Sequence, residues 1–133
     1  MKKLFSILLV IVTIIGCEKD DLEQYSSGLI GEWSWLISCG GVVGCVRPSA
    51  NNTGSLLFTI DSVLYLYRND TLYSSWIFHT YNRITNNGLD TIKILTYGSS
   101  IQEYSINHDI LQLFNRDWRF SSEYKRIEQE HFP

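Results

Sequence analysis

Histidine and cysteine are scarce in this chain, with three of each among 133 residues, and none stands at a spacing that assembles a metal site. His79, His108 and His131 each lack a second ligand at metal spacing, and the densest titratable group, His108-Asp109 with Asp117 in predicted end loops, reads as hairpin-turn chemistry. No Gly-x-Ser-x-Gly, no phosphate-binding loop and no pair of carboxylates on a predicted cleft floor occurs. Without such a constellation nothing positions a nucleophile or an acid-base pair, so no catalytic residue, metal or cofactor is expected. Lysine and arginine are scattered, whereas binding nucleic acid through counterion release needs them clustered. There is no convincing internal repeat, no low-complexity tract and no long run of one charge. The apolar run from Leu4 to Ile15 is too short to span a bilayer as a helix.

That run does carry an export pattern. Lys2 and Lys3 form a positive n-region, Leu4 to Ile15 the apolar core, and Ile14-Ile15-Gly16-Cys17 a small-residue cleavage site ending in a thiol. Ile-Ile-Gly-Cys resembles the lipobox of bacterial lipoproteins. The resemblance implies that residues 1–16 are a signal peptide and that Cys17 carries palmitate-like acyl chains as the new N-terminus. More than one chain turns reversible membrane contact into stable anchoring. Glu18-Lys19-Asp20-Asp21 resembles the Lys-then-acidic signal by which some Gram-negative bacteria carry lipoproteins to the outside of the outer membrane, the alternative being a solvated acidic linker. Residues 17–28 then form a polar tether, of which the part after the cysteine reaches at most about 30 Å.

Beyond residue 16, 117 residues remain, enough for one domain and its core. They hold nine basic and fourteen acidic residues, a formal charge of −5. Four Trp and eight Tyr are many for so short a chain, and aromatic residues favour pleated, half-buried surfaces. From Gly31 onward the hydrophobic pattern has period two, with turn residues at short intervals. Trp33, Trp35 and Ile37 are expected on one face of the first strand, and Leu56, Phe58 and Ile60 on one face of the next. Asn69-Asp70 predicts a tight hairpin, because both residues tolerate the left-handed conformation. A strand follows from Thr71 to about Tyr81, then the turn Asn86-Asn87-Gly88, a strand over 89–97, a hairpin over 101–114, and a last strand over 118–126. About eight strands joined by short turns predict an all-β, antiparallel up-and-down barrel, with a two-sheet sandwich as the alternative.

Gly31-Glu32-Trp33 at the start of the first strand matches the Gly-x-Trp that opens lipocalin barrels, and Arg126 ends the last strand, where lipocalin-like proteins set an Arg against that Trp. The chain thus resembles small lipocalin-like lipoproteins of Gram-negative bacteria over residues 29–127, with 128–133 as a tail. Such an Arg over the Trp face, Trp33 and Arg126 here, would lock the barrel ends together. The stretch from Ser38 to Pro48 resembles the Gly-rich loop after the first strand of those proteins.

Cys39 and Cys45 bracket Gly-Gly-Val-Val-Gly, and in an oxidising compartment they are expected to pair, the alternative being two free thiols. Asp61-Ser62-Val63, Asp70-Thr71-Leu72 and Asp90-Thr91-Ile92 resemble O-glycosylation sites of exported bacterial proteins; hairpin turns alone would also generate the pattern. The lipocalin resemblance implies a small apolar or amphipathic ligand, with Trp35, Tyr65 and Trp76 expected as aromatic walls. The alternative is a filled barrel whose loops, above all Gly40 to Asn52, meet an envelope protein or a glycan.

Overall fold

The computed structural model describes residues 28–128. The expected signal peptide, Cys17, the tether through Ser27 and the tail beyond Glu128 lie outside the described residues. Period-two runs become strands: β1 (Gly31–Gly40), β2 (Gly44–Val46), β3 (Gly54–Phe58), β4 (Val63–Arg68), β5 (Thr71–Ile84), β6 (Thr91–Tyr97), β7 (Ser100–Asn107), β8 (Ile110–Asn115) and β9 (Phe120–Arg126). Each pairs antiparallel with the next, except that β2 folds back on the end of β1 and β3 pairs with the start of β1 along that same edge, opposite the edge that β9 takes. β9 returns to β1, with Trp33 opposite Arg126 and Gly40 opposite Phe120. The result is a closed, lipocalin-like up-and-down barrel of eight strands, with β2 as an extra strand. Closure leaves none of the eight barrel strands at a free outer edge, although β6 and β7 pair only over Ile94–Tyr97 and Ser100–Glu103 and separate toward their other ends.

The turns follow local chemistry. Asn69 and Asp70 have φ of 50° and 61°, the two left-handed residues of the mirror-image turn whose twist suits a two-residue hairpin. Because every connection is a hairpin, consecutive turns fall at opposite ends. Residues 28–30 and the turns at 59–62, 85–90 and 108–109 gather at one end, called here the closed end. The connection 41–53 and the turns at 69–70, 98–99 and 116–119 ring the other, the mouth.

The core fills the closed half, apart from a cleft of about 470 Å³ where β6 and β7 separate, lined by Thr91, Lys93, Tyr104 and Ile106 among others. Leu29, Trp33, Phe58, Leu64, Leu95 and Leu111 are each at most 1% accessible, and Phe58 meets Phe78 edge to face at 5.1 Å between ring centroids. Burying each such side chain contributes about 2 kcal/mol. Residues 28–30 form a strap across this end, and its three carbonyls are all held: Trp33 Nε1 donates to Leu29 O at 2.8 Å, Arg126 Nη1 to Ile30 O at 2.9 Å and Arg126 Nη2 to Gly28 O at 2.6 Å. The Arg126 guanidinium lies 4.1 Å from the Trp33 ring centroid. Gly31 has φ of 129°, and a Cβ there would stand 3.0 Å from Arg126 Nη1. Glycine at this position supplies both the backbone angle and the room for the guanidinium.

Three expectations are corrected. Between Trp35 and Ile37 the β1–β9 register slips, with Trp35 opposite Tyr124 and Ile37 opposite Glu123. This bulge at Leu36 turns Ile37 outward and brings Ser38 into the barrel, opposite the buried Ser122. The last strand starts at Phe120, since Trp118 belongs to the preceding turn and Arg119 has φ of 48°. The connection after β1 is partly ordered by β2, so it is shorter as a free loop than expected.

Candidate functional site

The packed core stops about half-way along the barrel, and the mouth half holds open space. One cleft of about 460 Å³ lies over β1, β3 and β4 and includes Trp35, Gly54, Leu66, Arg68 and Tyr73. A second, of about 560 Å³, lies over β6 to β9 and includes Tyr97, Gln102, Leu113, Asn115 and Trp118. Phe120 and Tyr124 of β9 belong to both, as the wall between them. Inward-facing positions of β9 alternate with outward ones, which sets Phe120, Ser122, Tyr124 and Arg126 in a file from mouth to closed end.

Hydroxyls and one indole N–H run along that file. Trp35 Nε1 donates to Ser38 Oγ at 2.8 Å, and Ser38 Oγ and Ser122 Oγ share a hydrogen bond of 2.7 Å. Burial pushes the Tyr124 pKa up to about 12, aided by the nearby Tyr97 hydroxyl and opposed by a hydrogen bond with Ser122. Tyr124 therefore stays neutral at physiological pH. Across the second cleft Gln102 Nε2 donates to Tyr97 Oη at 2.9 Å and to Ser100 Oγ at 3.0 Å. Lower down, burial raises the Tyr104 pKa against a hydrogen bond with Thr80. The arrangement is a cup with aromatic sides and an uncharged hydroxyl edge, with Arg68 at its rim.

The expected wall residues divide. Trp35 lines the first cleft. Trp76 sits at the rim, 47% exposed, with its ring against Gly98 of the β6–β7 turn. Tyr65 is corrected: Leu64 and Leu66 face Phe58 and Leu56 inside the barrel, so Tyr65 between them points outward, opposite Leu57 and Ser75. Trp33 and Arg126 meet at the closed end, far from the cup. Cys39 and Cys45 are direct partners on β1 and β2 and form a disulfide, which locks a hairpin whose tip residues Val42 and Val43 are fully exposed. Ser62, Thr71 and Thr91 are all exposed. His108-Asp109 and Asp117 do not come together, because β8 carries the chain from the closed end to the mouth between them. Among the described residues, no group of three His, Cys, Asp or Glu is placed to hold a metal ion, and no helix is long and apolar enough to cross a membrane.

Sequence reasoning missed Gly54, Arg68, Tyr73, Tyr97, Phe120 and Tyr124 as cup residues. Strand parity relative to Phe58 and Phe78 could have found most of them, but only once the register was known. No protein-family model matches the chain, and no curated protein matches it in sequence.

Proposed function

We propose that this chain is a lipid-anchored, non-enzymatic protein of the Gram-negative outer membrane surface that binds a small apolar or amphipathic molecule in the mouth of its barrel. The observation that carries the reading is the pair of aromatic-lined clefts at the mouth, of about 460 and 560 Å³, which share Phe120 and Tyr124 and lie above the buried core of Trp33, Phe58, Leu64 and Leu111. Sites for small molecules commonly have volumes in this range, walls that are mostly apolar and a few placed polar groups. The chain enters the barrel at the closed end, so an anchor at Cys17 would attach on the side opposite the mouth. Native mass spectrometry of the full chain, purified from its own cells, tests the reading. A reproducible added mass that is lost on denaturation is expected; a bare protein that takes up no apolar dye would refute ligand binding. The denatured mass reports acylation at Cys17, which Cys17→Ser abolishes, and any sugar on Ser62, Thr71 or Thr91.

A second reading rests on a different observation. Val42 and Val43 stand fully exposed on a disulfide-locked hairpin at the mouth, a shape suited to contact with an envelope protein or a glycan. Loss of partner capture in Val42→Ser/Val43→Ser, with ligand uptake intact, would favour it.

A further inference from the structure

The charges on the two ends of the barrel are sorted. The connections at the mouth and the residues beside them carry Arg47, Arg68, Arg116 and Arg119 against Asp70 and Asp117, with Arg116 paired to Glu103 at 2.7 Å, whereas the closed end carries Asp61, Asp90 and Asp109 in its turns with Glu32, Glu128, Arg83 and Arg126 beside them. The chain as a whole is acidic, with a formal charge of −3, so the basic mouth is not an echo of composition. The excess of arginine over aspartate around the mouth favours anions at the opening.

Arg68 stands where that excess meets the cup. On the inner face, one level of the barrel reads Tyr124, Trp35, Gly54, Arg68: Trp35 is opposite Tyr124, Gly54 is opposite Arg68, and a Cβ at Gly54 would lie 3.7 Å from Trp35 Cβ. With no side chain at Gly54, a gap separates the indole from the guanidinium. Among the described residues, no carboxylate pairs with Arg68; its guanidinium carbon lies 5.9 Å from the Tyr73 ring centroid, a contact that leaves its hydrogen-bonding edge open. An apolar slot that ends at an unpaired cation on its solvent side fits a molecule with a hydrocarbon body and an acidic head.

We infer that the first cleft binds an anionic amphiphile, its carboxylate or phosphate on Arg68 at the rim and its apolar body over Gly54 against Trp35 and Phe120. The inference rests on the cup reading proposed above and adds the ligand's charge and orientation. A guanidinium meets such oxyanions with two parallel N–H donors, which gives orientation as well as attraction.

Three probes with one tail and different heads separate the two claims: decanoate, decanol and decyltrimethylammonium, each titrated into the full chain below its micelle concentration and followed by tryptophan fluorescence. Decanoate is expected to bind about tenfold more tightly than either of the others. In Arg68→Gln the decanoate-to-decanol ratio should fall to about one, while Arg68→Lys keeps part of the preference. Gly54→Val, which fills the slot at a strand position valine favours, should weaken decanoate and decanol together; Gly54→Ala serves if that variant does not fold. Equal affinity for all three heads, or an unchanged ratio in Arg68→Gln, overturns the anionic assignment and leaves the cup standing. Failure of all three probes to bind overturns both.

Discussion

Arg126→Met should loosen one end of this barrel by a predictable amount. The guanidinium covers the Trp33 ring at 4.1 Å, a contact that contributes about 1 kcal/mol when partly desolvated. It also donates to Ile30 O at 2.9 Å and Gly28 O at 2.6 Å. Each of these charged bonds contributes about 1 kcal/mol after competition from water, the outer one least because it is exposed. The sum is about 3 kcal/mol, and methionine keeps most of the stem packing, so the loss belongs to the head group. For a domain near a hundred residues this lowers Tm by about 12 °C. The effect has a place as well as a size. The strap carries Leu29, fully buried under the closed end, so its amides and those at the start of β1 should exchange faster while β6 and β7 keep their protection. Arg126→Lys should recover little, because an ammonium cannot reach two carbonyls with a rigid fork and lie flat on the indole. Urea unfolding followed by tryptophan fluorescence, with amide exchange by mass spectrometry, reads both quantities. A loss under about 1 kcal/mol, or a uniform rise in exchange over the whole sheet, would refute the idea that Arg126 bolts the strap.

Other perturbations bear on separate parts of the structure. Gly31→Ala should cost about 2 kcal/mol in urea unfolding, because φ of 129° strains any side chain and the Cβ meets Arg126 at 3.0 Å; a neutral effect would mean the backbone there readily adjusts. Trp33→Ala should cost about 3 kcal/mol or more by the same assay, whereas Trp35→Ala should cost less and abolish ligand uptake; equal losses of stability would mean the mouth is packed as tightly as the core. Opening the Cys39–Cys45 bond with Cys39→Ser/Cys45→Ser should cost about 2 kcal/mol, given its short loop, and leave the barrel folded by circular dichroism. Tyr124 titrates near 12 in the folded state against an ordinary value of 10.0, so the fold favours its protonated form. That contribution is complete below about pH 10 and is lost as pH rises toward 12, about 3 kcal/mol in all. Tyr124→Phe should flatten this alkaline fall in the urea midpoint, and an unchanged slope would assign it to another group.

The places where sequence reasoning went astray share a cause. In Val-Leu-Tyr-Leu-Tyr of β4 both parities are apolar, so alternation does not say whether Leu64 or Tyr65 points inward. Register against β3 decides it, through Leu56 opposite Leu66 and Phe58 opposite Leu64. Ile37 continues an unbroken alternation after Trp33 and Trp35, yet the bulge that turns it outward belongs to the β1–β9 pairing, between segments some eighty-five positions apart.

The sequence by itself determined what depends on neighbours along the chain. Period-two runs made strands, and Asn69, Asp70 and Gly88 took the left-handed angles their turns require. Cys39 and Cys45 stood close enough in sequence to become partners across a hairpin. The tertiary structure alone decided which faces turned inward, that the core fills one half of the barrel, and that Trp35, Gly54, Arg68 and Tyr124 share one level around a cup. Those residues come from β1, β3, β4 and β9. Their meeting is fixed by closure and register, and no local propensity encodes either.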